Sequence, residues 1–128
     1  MMKLIYTEGA IFFKNKDYLY IDNIECDVVT IPAINLNSSD NNINYEQVTK
    51  NKIRLMLSLA IKHNAKIIIL GAWGCGVFGN DPKIISQYFM DVLIGEGYNL
   101  NFNKVVFAII NDHNSVDDNL EIFKSNIK

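Results

Sequence analysis

Basic residues, cysteine and histidine are all scarce in this chain, and each shortage closes off a class of function. Twelve Lys and Arg stand against fourteen Asp and Glu, for a net charge of −2, and the pI is near 5.6. Arg54 is the single arginine and no run of five basic residues occurs, so a protein that holds nucleic acid through its phosphates is not expected. The two cysteines, Cys26 and Cys75, make a poor disulfide framework and suit a reducing cytoplasm. Together with two histidines they give no metal-binding spacing. Long apolar runs are missing too: the longest uncharged stretch, Ile67 to Asn80, is too short and too rich in glycine to cross a bilayer. Met1, Met2 and Lys3 precede Leu4, and Glu8 interrupts soon after, so no signal peptide is read. The expectation is a cytoplasmic protein without a membrane partner.

What is present is ordinary globular material. Hydrophobic residues make up 49% and charged residues 20% of 128 positions, enough for one domain with a real core.

The chain is organised around Lys66 to Tyr88, KIIILGAWGCGVFGNDPKIISQY. Ile67 to Leu70 has the length and β-branching of a strand buried on both faces. Four glycines follow within nine residues, Gly71, Gly74, Gly76 and Gly79. Asn80 and Asp81 are candidate helix caps, and Pro82 suits the first helical position. Residues without a Cβ let the backbone take positive φ and let a ligand lie against the main chain, so successive N–H groups can point at one anion. A helix start adds favourable partial charge. A phosphate or diphosphate is the natural guest; the plainer alternative is a turn that lets strand and helix pack closely. Neither the dinucleotide fingerprint nor the P-loop spacing occurs.

Upstream, Leu4 to Tyr6 reads as a short strand, Thr7-Glu8-Gly9 as a turn, and Ala10 to Lys14 with Tyr18 to Ile21 as a hairpin about Asn15-Lys16-Asp17. Cys26 to Ala33 is a further strand, with Pro32 at its end. Ile34 to Asn44 is a polar loop with five asparagines, a length that favours function. A helix is expected from Tyr45 to about Asn64, with Asn44 as cap, Gln47 as its reciprocal partner, and Val48, Ile53, Met56, Leu57, Leu59, Ala60 and Ile61 as a core stripe. His63 near its end complements the helix dipole.

After the glycine loop, a helix from Pro82 to about Ile94 turns Ile84, Ile85, Tyr88, Phe89, Val92 and Leu93 inward, and Gly95 and Gly97 stop it. Lys104 to Asn111 is another apolar strand, and Ser115 caps a last helix bearing Val116, Leu120, Phe123 and Ile127. The order implies an α/β fold with a mixed sheet, mostly parallel in its second half. Ligands in such sheets bind outside the carboxyl ends of the strands, where the loops Ile34 to Asn44, Gly71 to Asp81 and Asn111 to Asn114 would meet.

LGAWGCGVFGNDP, preceded by VVTIPAIN and followed by VVFAIIND, resembles the C-terminal part of microbial-type poly(ADP-ribose) glycohydrolases, which have the macrodomain fold. The likeness extends loosely from about Ile5 to Phe123. It implies one truncated macrodomain-like domain over residues 1–128, a mixed sheet with helices on both faces, and an ADP-ribose crevice. Gly74, Cys75, Gly76, Val77 and Phe78 would line the diphosphate and distal ribose, and Asn35 would match the asparagine ending the PA-x-N segment. Gly71, Ala72, Trp73, Gly79, Asn80, Asn111 and Asp112 complete the expected ligand-binding set. The glycohydrolases also carry an upstream glycine-rich loop and adjacent glutamates that act on the ribosyl bond. This chain has no Glu-Glu pair and no Gly-Gly-Gly, and it begins where that half ends.

Cleavage of a ribosyl bond calls for a carboxyl group able to protonate the leaving oxygen. Asp81 and Asp112 read instead as a cap and a strand-end turn, and Glu46 and Asp40 as solvated. The leading expectation is a module that binds ADP-ribose or an ADP-ribose-linked small molecule, with no catalytic residue, metal or cofactor. The rivals are an ADP-ribosyl hydrolase with another acid and a domain acting through protein contacts. Cys75 reads as a small loop residue or a reactive thiol, and Cys26 as core. Phe78 packs on a ribose or anchors the loop; Trp73 shields a base or wedges the loop against the sheet. His113 reads as exposed. An unpaired sheet edge makes a homodimer an expected partner state.

Overall fold

The computed structural model describes residues 3–38, 42–110 and 118–127. The chain divides into two compact units, Met1–Pro32 and Ala33–Lys128, and each is taken by itself.

The first unit is an antiparallel hairpin of β1 (Ile5–Lys14) and β2 (Tyr20–Thr30). Thr7-Glu8-Gly9 is not a turn: the register slips between Thr7 and Ala10, so the strand bulges there and runs on. Gly9 takes φ +63°, and its N–H donates to the Asp27 carboxylate at 2.9 Å. Asp27 also accepts from the Tyr6 hydroxyl. The runs expected as separate strands at Tyr18 to Ile21 and Cys26 to Ala33 fall on one strand, β2, which starts at Tyr20 and ends at Thr30, before Pro32. At the hairpin tip, Asn15 Oδ1 accepts from the N–H groups of Asp17 and Leu19 at 2.9 and 3.1 Å. Cys26 is exposed, which corrects its reading as core: a strand of a two-stranded ribbon has no neighbour on its second edge and only its partner β1 beside it within the unit.

The second unit contains α1 (Tyr45–Lys62), β3 (Ile67–Leu70), α2 (Pro82–Met90), β4 (Lys104–Phe107) and α3 (Asn119–Asn126). Asn44 caps α1 as expected, its side chain accepting from the Gln47 N–H. Ile53, Met56, Leu57 and Ala60 form the buried stripe of that helix. Asp81 caps α2 with Pro82 in its first turn. Ile85 and Phe89 are buried on α2, but Ile84 is exposed, because it stands next to Ile85 and faces outward. The helix then widens into one π turn, Asp91–Gly95, burying Val92 and Leu93.

A 3-10 turn at Tyr98–Asn101, which no periodicity announced, leads into β4. That strand ends at Phe107, shorter than the expected Lys104 to Asn111. The last helix starts at Asn119 with Asp118 as its cap; Ser115, His113 and Asp40 lie outside the described residues.

β3 and β4 pair in parallel, Ile67 with Lys104 through Leu70 with Phe107. Phe107 is the hub of the core, its ring 5.4 Å from Phe89 of α2 and 5.7 Å from Phe123 of α3. Ion pairs tie α1 to the chain after α2. Lys50 meets both Glu46 and Asp91, at 2.7 and 3.0 Å, and Arg54 grips Glu96 with two N–H groups at 2.8 and 2.7 Å. The expected burial of β3 on both faces is not met: Ile67 and Ile69 are 58% and 69% exposed. Their face is left open by the described helices.

Candidate functional site

The glycine loop links β3 to α2 as the residue order implies, and its two ends are built differently. The inner end is packed. A Cβ placed on Gly74 would lie 2.5 Å from the Ala33 Cβ and 2.6 Å from Asn80 Nδ2, closer than real Cβ atoms come. Gly74 also holds φ +75°, a left-handed backbone that L side chains resist. Cys75 is buried, its thiol 3.6 Å from the Trp73 carbonyl. Its neighbours in the described structure are those of a small loop residue. The Trp73 ring meets Phe89 edge-on at 6.2 Å, which fits a wedge between loop and core.

Asn80 is the knot of this inner end, 3% exposed. Its Nδ2 donates to the carbonyls of Ile34 and Gly74, both at 2.8 Å, and its Oδ1 accepts from the Tyr45 hydroxyl. Its own N–H returns to the Gly74 carbonyl at 3.0 Å. One buried amide thus joins the loop, the segment after Ala33 and the first turn of α1, with both its side-chain amide hydrogens and its side-chain oxygen engaged. Burial, and then the neighbouring Tyr88, Cys75 and Asp81, push the Tyr45 hydroxyl up to about 12. It is therefore neutral and a donor at physiological pH.

The outer end is open. A Cβ on Gly76 would meet no described residue within 4 Å, and Val77 is 86% exposed. The loop closes on itself through Cys75 N–H to Ala72 O at 3.1 Å and Gly79 N–H to Gly76 O at 3.0 Å, with Gly79 at φ +74°. Between those bonds, the N–H groups of Gly76, Val77 and Phe78 donate to no described residue. A run of main-chain donors without a described acceptor is the arrangement that takes an anion.

Of the expected set, the loop after Ala33 is joined to the glycine loop. The Leu36 N–H donates to the Phe78 carbonyl at 3.0 Å, and Asn37 Nδ2 to the Val77 carbonyl at 2.6 Å. Asn35 folds this segment by accepting from the Asn37 N–H at 3.0 Å. Gly71 and Ala72 begin the loop from the end of β3. Asn111 and Asp112 fall outside the described residues. Asp81, the carboxylate bordering the loop, is spent as the cap of α2, accepting from the Lys83 N–H at 2.9 Å. Reading the sequence missed Asn37, Ala33 and Tyr45. The first two sit in a polar loop and at a strand end with nothing to mark them. Tyr45 looked like the first residue of a helix.

Among the described residues, no group of three or more His, Cys, Asp and Glu could hold a metal, and no helix is long and apolar enough to cross a membrane.

The architecture is mixed α/β of the macrodomain-like class. Among the solved structures it is similar to are bacterial poly(ADP-ribose) glycohydrolases. That of Thermomonospora curvata superposes with a TM-score of 0.86 at 28% identity, covering 97% of this chain and 47% of its own. That of Deinococcus radiodurans, solved in complex with ADP-ribose, gives 0.87 at 27% identity, covering 97% and 52%. The apo form of the Deinococcus radiodurans protein gives 0.84 at 28%, with the same coverage. The chain therefore spans about half the length of the structures it matches. No family model matches the chain, and no curated protein does.

Proposed function

We propose that this chain binds ADP-ribose, or a small molecule linked to it, by placing the diphosphate on the N–H groups of Gly76, Val77 and Phe78. One observation carries the reading: three consecutive donors without a described acceptor stand beside a glycine whose absent side chain leaves space for a ligand. The likeness to a protein solved with ADP-ribose supports the choice of ligand. Neutral donors hold a diphosphate by hydrogen bonds strengthened by its charge, each worth about 1.5–3 kcal/mol net. The Asn80 amide and Gly74 hold those donors in register and do not touch the ligand themselves. Cys75, facing the Trp73 carbonyl, takes no chemical part.

The proposal is for binding without cleavage. Asp81, the carboxylate bordering the loop, is committed to the start of α2, where it accepts from the Lys83 N–H. Calorimetric titration of ADP-ribose into the wild type and Gly76→Val tests it. The expected result is saturable binding by the wild type and at least a tenfold weakening in the variant. Absence of heat at millimolar ADP-ribose removes the proposal. Release of ADP-ribose from a modified protein, lost on one Asp or Glu change, would replace it with the hydrolase reading.

A further inference from the structure

A trans peptide unit sets its C=O and N–H on opposite sides of one plane, so a bond that grips the carbonyl also aims the N–H across from it. The same bond polarises the unit and makes that N–H a stronger donor. Two of the three open donors of the glycine loop are backed in this way. The Phe78 N–H shares its peptide unit with the Val77 carbonyl, which accepts from Asn37 Nδ2 at 2.6 Å. The Val77 N–H shares its unit with the Gly76 carbonyl, which accepts from the Gly79 N–H at 3.0 Å. The unit carrying that Gly79 N–H has the Phe78 carbonyl at its other end, and this accepts from the Leu36 N–H at 3.0 Å. Two relays therefore run into the loop from residues 36 and 37, and each ends on an N–H without a described acceptor.

The starting points of the relays are themselves held. Asn35 Oδ1 accepts from the Asn37 N–H at 3.0 Å, and the Asn35 carbonyl accepts from the Ser38 N–H at 3.2 Å, which closes a turn over Leu36 and Asn37. Asn37 Oδ1 stands 3.7 Å from the point that a Gly79 Cβ would occupy, so the amide lies along the glycine turn. We infer that Asn37 is a positioning residue of the anion site: its side-chain amide aims and strengthens the Phe78 N–H from behind, without touching the ligand. The Leu36 relay serves Val77 through main chain alone and does not depend on the side chain at position 37. This inference rests on the reading of Gly76, Val77 and Phe78 as the diphosphate donors. Asn37 is exposed, so water can replace its bond when the side chain is removed and the fold loses little.

The test compares wild type, Asn37→Ala and Asn37→Asp by nitrogen-15 spectra without ligand, by urea unfolding and by calorimetric titration with ADP-ribose. In Asn37→Ala the Phe78 amide resonance is expected to move while that of Val77 stays, the urea midpoint to hold, and affinity to fall about fivefold, the worth of one modest hydrogen bond. Asn37→Asp keeps the size and loses the donor. Its Phe78 resonance moves likewise, and its affinity falls further through repulsion of the diphosphate, an added loss that high salt recovers. Wild-type affinity in both variants, with the Phe78 resonance unmoved, overturns the inference and leaves the binding site standing. A lowered urea midpoint with Val77 and Phe78 shifted alike also overturns it, since Asn37 would then only keep the loop folded. A wild type that binds no ADP-ribose removes the site and this inference together.

Discussion

Gly74 and Gly76 lie two residues apart in one loop and have opposite surroundings. Around Gly74 the protein has closed in, with Ala33 and Asn80 in the volume a side chain would fill. Around Gly76 no described residue comes within reach of a Cβ. The first glycine is required by the protein's own packing, whereas the second leaves room for something else. The difference separates the packed part of the loop from the open part to which we assign binding, and substitutions at each end should separate stability from binding.

The largest effect belongs to the inner end. Gly74→Ala adds a left-handed backbone penalty of about 1–2 kcal/mol to an overpacking cost of about 1–3 kcal/mol, and urea unfolding should show a loss of that combined size. Asn80→Ala should cost about 3 kcal/mol, since it leaves the Ile34 and Gly74 carbonyls and the Tyr45 hydroxyl without their partner. A melting curve unchanged by either substitution would erase the distinction between the two ends.

At the outer end the pattern reverses. Gly76→Val should leave stability within about 0.5 kcal/mol of wild type and weaken ADP-ribose binding by about tenfold or more, roughly 1.4 kcal/mol. Equal losses of stability and affinity would mean that Gly76, too, serves packing.

High pH probes the inner end without a ligand. The Tyr45 hydroxyl, about 10 when unperturbed, is raised to about 12 in the folded chain. The folded state therefore holds a proton that the unfolded state gives up. The associated stability is whole below pH 10 and disappears as pH climbs through 12. Tyr45→Phe should flatten that decline in denaturant midpoint against pH. Tyr6, raised to about 12 as well, leaves a residual slope in the same window.

The smallest effect lies away from the loop. Glu96→Gln removes the pair with Arg54, at whose ends the side chains are 34% and 36% exposed. It should cost no more than about 1 kcal/mol and leave ligand affinity alone.

Much of this was legible in the residue order, for identifiable reasons. Asn44 and Asp81 are short polar side chains just before apolar periodicity, and Pro82 fits only a helix start, so both helix boundaries followed from local chemistry. The strand, glycine loop and helix start were equally local. What could not be read depends on distant partners. Nothing near Gly74 says that Ala33 will press against it, and nothing near Tyr45 says that its hydroxyl will find Asn80. The Thr7-Glu8-Gly9 bulge carries the same residue types as a turn, and only pairing with β2 distinguishes them. An unbroken run such as Ile67 to Leu70 reads as doubly buried whether or not this chain supplies the second layer, which is why its open face came as a correction.

The most direct test of the account follows the amide resonances of nitrogen-15 labelled protein while ADP-ribose is added. The account predicts saturable shifts that are largest at Gly76, Val77 and Phe78, with Gly74 and the Asn80 side-chain amide nearly still. Shifts centred elsewhere, or no change at those three amides at saturating ligand, would contradict it.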